Sequence, residues 1–338
     1  MGSRLAEQVA LLAGRRIVVA GDIVLDEYLY GRAERLSREA AIPVLEFRRR
    51  QLILGGAANP AQNIVTLGST AVLAGLVGQD RTADELLELI EKTGIERSCI
   101  IVDTHRPTTL KTRVLAEVPL IFAQQLARLD RLDRRPIEGA LETRALELLE
   151  REIPQADAVL CSDYRTGFLS DRLVAKIGML CKRCEVPLVV DSQGRLDVYR
   201  GADIIRCNAD EAASYLGIPL HDEESFRQGL AEMLRRLDAE VIIITRGSEG
   251  FSLQGRSQPY VHVPALPIGE VFDATGAGDT FIAVVALGIA AGLQPLDAAR
   301  IANVAAGLVV RHIGNAVVRA DELRRALDSL EEDDDRTS

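Results

Sequence analysis

The ten residues Phe272 to Phe281, F-D-A-T-G-A-G-D-T-F, combine a turn able to cradle an anion with a carboxylate placed to accept a proton. Gly276 and Gly278 let backbone approach a ligand without side-chain obstruction, and the apolar run Phe281 to Leu293 reads as the helix that follows. Unpaired N–H groups and partial positive charge at a helix start stabilise negative charge on a phosphoryl group, so the backbone of Gly276, Ala277 and Gly278 is a candidate anion hole. Asp279, in the first turn of that helix, stays ionised; within reach of a substrate alcohol it is a candidate general base. A plain structural turn is the alternative, because Asp favours helix starts for dipole reasons alone. Asp273 and Thr275 before the turn, and a second glycine-rich element far upstream, Gly55-Gly56-Ala57-Ala58-Asn59, weigh toward chemistry.

Such groups need a rigid frame. Arg16 to Gly21 reads as a buried strand ending at Asp22, and the same apolar signature returns at Ala158 to Cys161, Pro187 to Val190 and Val241 to Thr245. Helical patterns intervene at about 60–67, 82–92, 137–151, 170–184 and 223–237. The alternation predicts a doubly wound α/β fold, a mainly parallel sheet with helices on both faces. Residues about 28–48 and 108–130 break the alternation with short β-like stretches and are expected to form a small projecting sheet. Ligands of open α/β sheets bind beyond the carboxyl ends of the strands, so that sheet is placed to act as a lid. Leu296 to His312 and Ala320 to Leu330 read as helices, residues 1–330 as one domain, and the acidic 331–338 as a disordered tail.

A chain of 338 residues with 47% hydrophobic and 27% charged residues can bury a substantial core. No apolar run approaches the roughly 18–20 residues of a membrane span, and no leader pattern opens the chain, so a cytoplasmic location is expected. A net charge of −10 opposes a broad nucleic-acid or membrane footprint, and Arg48-Arg49-Arg50 reads as a solvated strand end. Cys181 and Cys184 form an isolated C-x-x-C within a helical pattern; with Cys99, Cys161 and Cys207 they read as buried reduced thiols.

Four segments in order, G-D-I-V-L-D (Gly21 to Asp26), G-G-A-A-N (Gly55 to Asn59), N-A-D-E (Asn208 to Glu211) and D-A-T-G-A-G-D (Asp273 to Asp279), resemble the ribokinase-like (PfkB) carbohydrate kinases over about residues 15–327. Within that family, R-L-S-R-E-A-A-I-P-V (Arg35 to Val44) and C-S-D-Y (Cys161 to Tyr164) are most similar to the kinase domain of D-glycero-β-D-manno-heptose 7-phosphate 1-kinases. The resemblance implies ATP-dependent transfer to a sugar hydroxyl with Mg²⁺ on the phosphates, and leaves activation by a monovalent cation open. Carried over at matching positions, it makes Asp279 the base and Gly276 to Gly278 the anion hole. Asp22, Asp26, Gly56 and Asn59 become sugar contacts, with strand-end and turn capping as the alternative for the two aspartates. Asn208 and Glu211 would organise Mg²⁺, Glu211 through water; the same spacing also writes a helix capping box. Asp273, Thr275, Thr245, Gly247 and Asn303 would border the nucleotide. Lys111 and Arg113, alternating on a lid strand, would reach a sugar phosphate, with Arg128 a weaker candidate. Lid strands suggest a homodimer.

Two lysines of the heptose-kinase pattern are missing. Thr166 stands two positions after Tyr164 where that pattern has lysine, and Asp191-Ser192-Gln193-Gly194 replaces D-P-K-G. Arg165 and Arg195 lie close enough in sequence to compensate, though guanidinium and ammonium differ in geometry. The acceptor is therefore less defined than the reaction, and ribose- or fructose-type sugars stay open. No G-x-G-x-x-G follows the first strand and no G-x-x-x-x-G-K-[ST] occurs, which disfavours dinucleotide and P-loop enzymes. A sugar- or nucleotide-sensing protein without turnover is the rival of another class.

Overall fold

The computed structural model describes residues 2–40, 42–118, 121–266, 275–311 and 316–337. After α1 (Gly2–Gln8) the chain enters β1 (Arg16–Gly21), then the long hairpin β2 (Ile23–Leu36) and β3 (Pro43–Gly56), followed by α2 (Ala58–Thr66). β4 (Thr70–Gly78), α3 (Arg81–Thr93) and β5 (Glu96–Asp103) lead to a second pair of strands, β6 (Leu110–Val118) and β7 (Ile121–Arg131). The alternation resumes with α4 (Gly139–Glu152), β8 (Ala158–Asp163), α5 (Asp171–Cys184), β9 (Leu188–Ser192), β10 (Ile204–Asn208), α6 (Ala209–Leu216), α7 (Glu223–Leu237) and β11 (Val241–Thr245). Strands β12 (Phe251–Gly255) and β13 (Val261–Val263) precede α8 (Ala277–Ala290), α9 (Pro295–Val309) and α10 (Ala320–Thr337).

Nine strands form the main sheet in the order β13-β12-β11-β10-β9-β8-β1-β4-β5. The seven from β11 to β5 run parallel, and β12 and β13 pair antiparallel at one edge. Period two explains why β1 is apolar throughout: Ile17 and Val19 join one core with α2, α8 and α9, while Val18 and Ala20 join the other with α4 and α5. The doubly wound prediction is met. The apolar signature marks four of these strands and misses β4, β5 and β10, each for a local reason. Gly75 interrupts β4, Glu96 and Arg97 open β5 at the sheet edge, and Arg206 breaks the apolar run of β10.

Helix α8 begins at Ala277, four residues earlier than the periodicity suggested, with Gly276 at its N-cap in the left-handed region (φ +83°). Its interior from Asp279 to Gly288 is buried because it runs between the sheet, α2 and α9, so apolarity on all sides gave no boundary. Helix α10 continues to Thr337, so the acidic run set apart as a disordered tail belongs to a helix.

The four remaining strands make a separate sheet, β3-β2-β6-β7, at the positions expected of the lid, with strands reaching several residues beyond the expected bounds at Ile23 and Gly56. Arg50 ties this sheet to the body. Its Nε donates to Glu27 Oε1 on β2 (2.5 Å), and its Nη1 and Nη2 grip both carboxylate oxygens of Glu85 on α3 (3.0 and 2.8 Å). Thr112 on β6 donates to the other oxygen of Glu27 (2.5 Å), so Arg50, itself on β3, links three lid strands to one helix.

Candidate active site

The parallel strands deliver Asp22, Asp163, Asp191, Asn208 and Thr245 to one edge of the sheet, at or just past their carboxyl ends. The first turn of α8 meets that edge. Asp279 there is only 7% exposed, and both carboxylate oxygens are occupied: Asn59 Nδ2 donates to Oδ2 (2.8 Å) and the Tyr164 hydroxyl donates to Oδ1 (2.5 Å). Burial pushes the carboxyl up to about 6, against the pull of the Tyr164 and Asn59 donors and with a further push from the Asp191 charge. Tyr164, buried beside that charge, is held well above the usual phenol range and so remains the donor.

Asn59 was read as a sugar contact. It is fully buried at the start of α2, and Asn63 one turn on donates back to its side-chain oxygen (3.2 Å), while Thr280 donates to Asn63 (3.2 Å). This ladder between α2 and α8 fixes the orientation of the Asp279 carboxylate, and the Asn59 side chain is engaged within the protein by Asp279 and Asn63. Asp22 is likewise engaged within the protein. Its carboxylate accepts backbone N–H bonds from Tyr164, Thr166 and Phe168 (2.9, 2.9 and 3.1 Å) at 2% exposure, organising the loop that carries Tyr164. The capping alternative holds for this residue. Gly56 has φ +55°, and a Cβ there would lie 2.2 Å from the Asp22 carbonyl oxygen, so glycine permits the close crossing that brings α2 to the site.

On the lid, Asp26 and Lys111 are register partners, as are Tyr28 and Arg113, so the four side chains share a face. Arg113 Nη1 donates to Asp26 Oδ1 (2.5 Å); two residues read as sugar contacts thus bind each other. Lys111 reaches across to the body, its ammonium 5.1 Å from the centre of the Tyr164 ring. Beneath it opens a cavity of about 470 Å³ lined by Lys111, Arg128, Arg134, Arg165, Tyr164 and Gln193 among others, with Arg128 paired to Asp130. Arg134 escaped notice in the sequence because nothing in its spacing ties it to a lid strand.

Asn208 and Glu211 form the capping box: Asn208 Oδ1 accepts from Glu211 N and Glu211 Oε2 accepts from Asn208 N, both at 2.8 Å. Burial raises the Glu211 carboxyl from its ordinary value. The cap does not consume the residue, since Glu211 also borders a narrow cavity of about 100 Å³ with Asp191, Gln193, Arg206, Gly276, Gly278 and Asp279. Among the described residues no cluster of three acidic, His or Cys side chains forms a metal cage. Glu211 beside a space this small nevertheless suits Mg²⁺, which keeps most of its waters and takes few protein ligands.

The nucleotide residues are less concentrated. Thr245 Oγ1 accepts from Arg206 Nη2 (2.6 Å), so its hydroxyl faces the protein. Gly247 is exposed at φ +59°, in the turn after β11. Asn303 on α9, half-buried, donates to the Pro264 carbonyl oxygen just past β13 (2.9 Å). Thr275 sits in the turn before Gly276, and Asp273 lies outside the described residues.

Neither arginine proposed as a substitute lysine enters the narrow cavity. Arg195 is committed to Asp171 and to the Leu169 carbonyl oxygen (2.9 Å for the latter). Arg165, held at φ +61° with its N–H on Asp163 Oδ1 (2.9 Å), lines the wider basic cavity. Cys99, Cys161, Cys181 and Cys207 are buried, and burial pushes the Cys181 thiol up to about 12. A thiol that resists ionisation is a poor nucleophile.

A model of the pfkB family of carbohydrate kinases matches residues 15–320. The bifunctional protein HldE of Trichlorobacter lovleyi is 38% identical over 320 residues, 94% of this chain and 64% of its own length. HldE of Caulobacter vibrioides is 39% identical over 334 residues, 98% of this chain and 67% of its own. The chain thus spans about two thirds of the length of these relatives. Arabidopsis thaliana ribokinase, solved with ribose and ATP, shares the fold at a TM-score of 0.73 and 21% identity, over 93% of this chain and 99% of its own. Phosphofructokinase-2 from Escherichia coli, solved with potassium, does so at 0.74 and 15%, over 94% and 99%. A family match that runs from the start of β1 to the start of α10 leaves no part of either sheet outside it, and the chain therefore belongs to the pfkB family of carbohydrate kinases.

Proposed function

We propose that the chain is an ATP-dependent kinase of a phosphorylated sugar, with heptose 7-phosphate as acceptor at its 1-hydroxyl. The observation that carries this reading is the pair of adjoining cavities, which share Tyr164, Gln193 and Glu211 in their walls. The narrow one holds the glycine turn and the base; the wide one offers Lys111, Arg128, Arg134 and Arg165 to a distal phosphate. The resemblance to heptose 7-phosphate 1-kinases and the HldE relatives support the choice of sugar.

In this reading the acceptor hydroxyl displaces the Tyr164 hydroxyl from Asp279 Oδ1 and gives its proton to that oxygen. Its oxygen attacks the γ-phosphorus in line, the bond to the bridging oxygen breaks, and ADP departs with that electron pair. Amides of the turn and the start of α8 face the transferring oxygens, so positioning and fixed dipoles carry most of the catalysis. Magnesium, held at Glu211 through water, would supply charge neutralisation on the phosphates. The lid shields the transfer from water, and Arg50 and Lys111 hold it against the body.

Among the described residues no helix is long and apolar enough to cross a membrane, and we assign the enzyme to the cytoplasm, where ATP is available. Leu36, Phe47 and Leu129 are exposed on the lid strands (71%, 65% and 65%), which supports a lid-to-lid homodimer. Light scattering showing only monomer at micromolar concentration would remove the dimer.

ADP release is measured with heptose 7-phosphate, ribose, fructose and fructose phosphates, with Mg²⁺ and with or without potassium. Heptose 7-phosphate is expected to give the highest kcat/KM, and Asp279→Asn to lower turnover by about 10²-fold or more. Faster turnover of an unphosphorylated sugar overturns the acceptor assignment. Binding without turnover across the panel makes the protein a sensor.

A further inference from the structure

A largely buried cation lies against the glycine turn, that of Arg206, a residue that no motif singled out. It projects from β10 on the same face as Asn208, two residues on. Asp191 Oδ1 accepts from its Nη1 (2.9 Å), and its Nη2 donates to Thr245 Oγ1 (2.6 Å), so the planar guanidinium is clamped between neighbouring strand ends. A Cβ added at Gly278 would lie 2.8, 2.9 and 3.2 Å from Nη2, Nη1 and Cζ, which sets the guanidinium directly against the first turn of α8. Its Nε is buried and has no hydrogen-bond partner among the described residues. Leaving a buried charged donor unsatisfied is costly, and such groups occur where a ligand completes the set.

Its surroundings say what the ligand is. Arg206 shares the cavity of about 100 Å³ with Gly276, Gly278, Asp279 and Gln193. Gln193 occupies one of the two positions where the heptose-kinase pattern has lysine, and its wall would otherwise lack a cation. A guanidinium one strand away puts positive charge back into that cavity and pairs with Asp191, which it neutralises in part.

We propose that Arg206 is a catalytic residue that binds the phosphoryl group during transfer, supplying from β10 the charge that the lysine missing at position 193 would provide. This rests on the kinase reading and adds to it which side chain, besides the backbone turn, meets the phosphoryl oxygens. Because the contact is to the third phosphate, it separates ATP from ADP. A guanidinium that only braces Asp191 and Thr245 would not.

The test compares wild type, Arg206→Met, Arg206→Lys and the double variant Arg206→Met with Gln193→Lys. Calorimetric titration with Mg-ATP and Mg-ADP is run beside steady-state kinetics and thermal unfolding. Arg206→Met is expected to weaken ATP by about tenfold while ADP changes by less than about threefold, and to lower kcat by roughly 10²-fold. Gln193→Lys in that background is expected to recover at least about tenfold of kcat, since it returns a cation to the same cavity. An unchanged ratio of ATP to ADP affinity in a folded Arg206→Met protein overturns the proposal, as does failure of Gln193→Lys to restore turnover. If Arg206→Met does not fold, Arg206→Lys must still alter the ATP to ADP ratio, and an unaltered ratio there overturns it as well. Wild type that turns over no sugar defeats the kinase reading, whereas a normal wild type with an indifferent Arg206 defeats only this inference.

Discussion

Replacing Tyr164 by Phe removes a single oxygen, the one that donates to Asp279 Oδ1 at 2.5 Å, and leaves the ring under Lys111 in place. The Asp279 carboxyl stands at about 6 because burial raises it and the Tyr164 donor partly lowers it again. A hydrogen bond to an ionised acceptor is worth about 1.5–3 kcal/mol and one pKa unit is about 1.4 kcal/mol, so losing this donor raises the carboxyl by about one to two units. In the proposed reaction Asp279 accepts a proton only when ionised. The acid limb of kcat/KM for the sugar is therefore expected near pH 6 in the wild type and near pH 7–8 by this estimate in Tyr164→Phe. At pH above about 9 both bases are ionised by the same estimate. The plateau should then match or exceed the wild type, because the acceptor no longer has to displace a phenol. The assay is the pH dependence of kcat/KM at saturating ATP, with a buffer series at constant ionic strength. An acid limb that stays in place or moves to lower pH would show that the Tyr164 hydroxyl does not hold the base, and the derivation would fail.

Asp279→Asn should stabilise the fold at pH 8 while removing turnover. The folded carboxyl, at about 6, lies above its unfolded value, so stability attributable to this group is greatest in acid and falls as pH rises toward about 6. Urea denaturation should show a gain of about 1–3 kcal/mol at pH 8 that shrinks toward pH 4; a loss at pH 8 would contradict it. Asp22→Ala should cost about 3 kcal/mol by leaving buried N–H groups of the 164–168 loop without their acceptor, with proteolysis at that loop as a second readout. Wild-type stability would return Asp22 to the role of sugar contact. Arg50→Met should speed hydrogen exchange in β2 and β6 but not in β1 or β4, and raise KM for the sugar, because it cuts the link from Glu27 to Glu85. Uniform exchange across all four strands would refute the latch.

The sequence showed the reaction more clearly than the contacts. Gly276, Gly278 and Asp279 are legible because turn glycines and an acid at a helix start are local features, set by neighbours in the chain. Asp22 and Asn59 were assigned to the sugar because a carboxylate and an amide beside a glycine turn look alike whether they face ligand or backbone. The backbone partners of Asp22, Tyr164, Thr166 and Phe168, come from more than a hundred residues away and are invisible in its local sequence. Asn208 and Glu211 needed no such choice, since the cap and the cavity wall coexist. Arg206 left one signal, a charge between Ile205 and Cys207 in the I-I-R-C-N strand, and a largely buried charge in a strand calls for a partner or a ligand.

Seven parallel strands also make the main sheet a ruler. Neighbouring strands are spaced about 4.8 Å, so the four steps from β1 through β8, β9 and β10 to β11 span about 19 Å along the carboxyl edge. The acceptor, the transferring phosphate and the nucleotide of the proposed reaction then occupy successive graduations, with the lid and β1 at one end and β11 at the other. Backbone hydrogen bonds fix these intervals, and no side-chain change can stretch them. Mutations near β1 and the lid can therefore exchange one sugar for another while the phosphoryl station between β9 and β10 keeps its alignment. A lineage could drift in acceptor without relearning transfer.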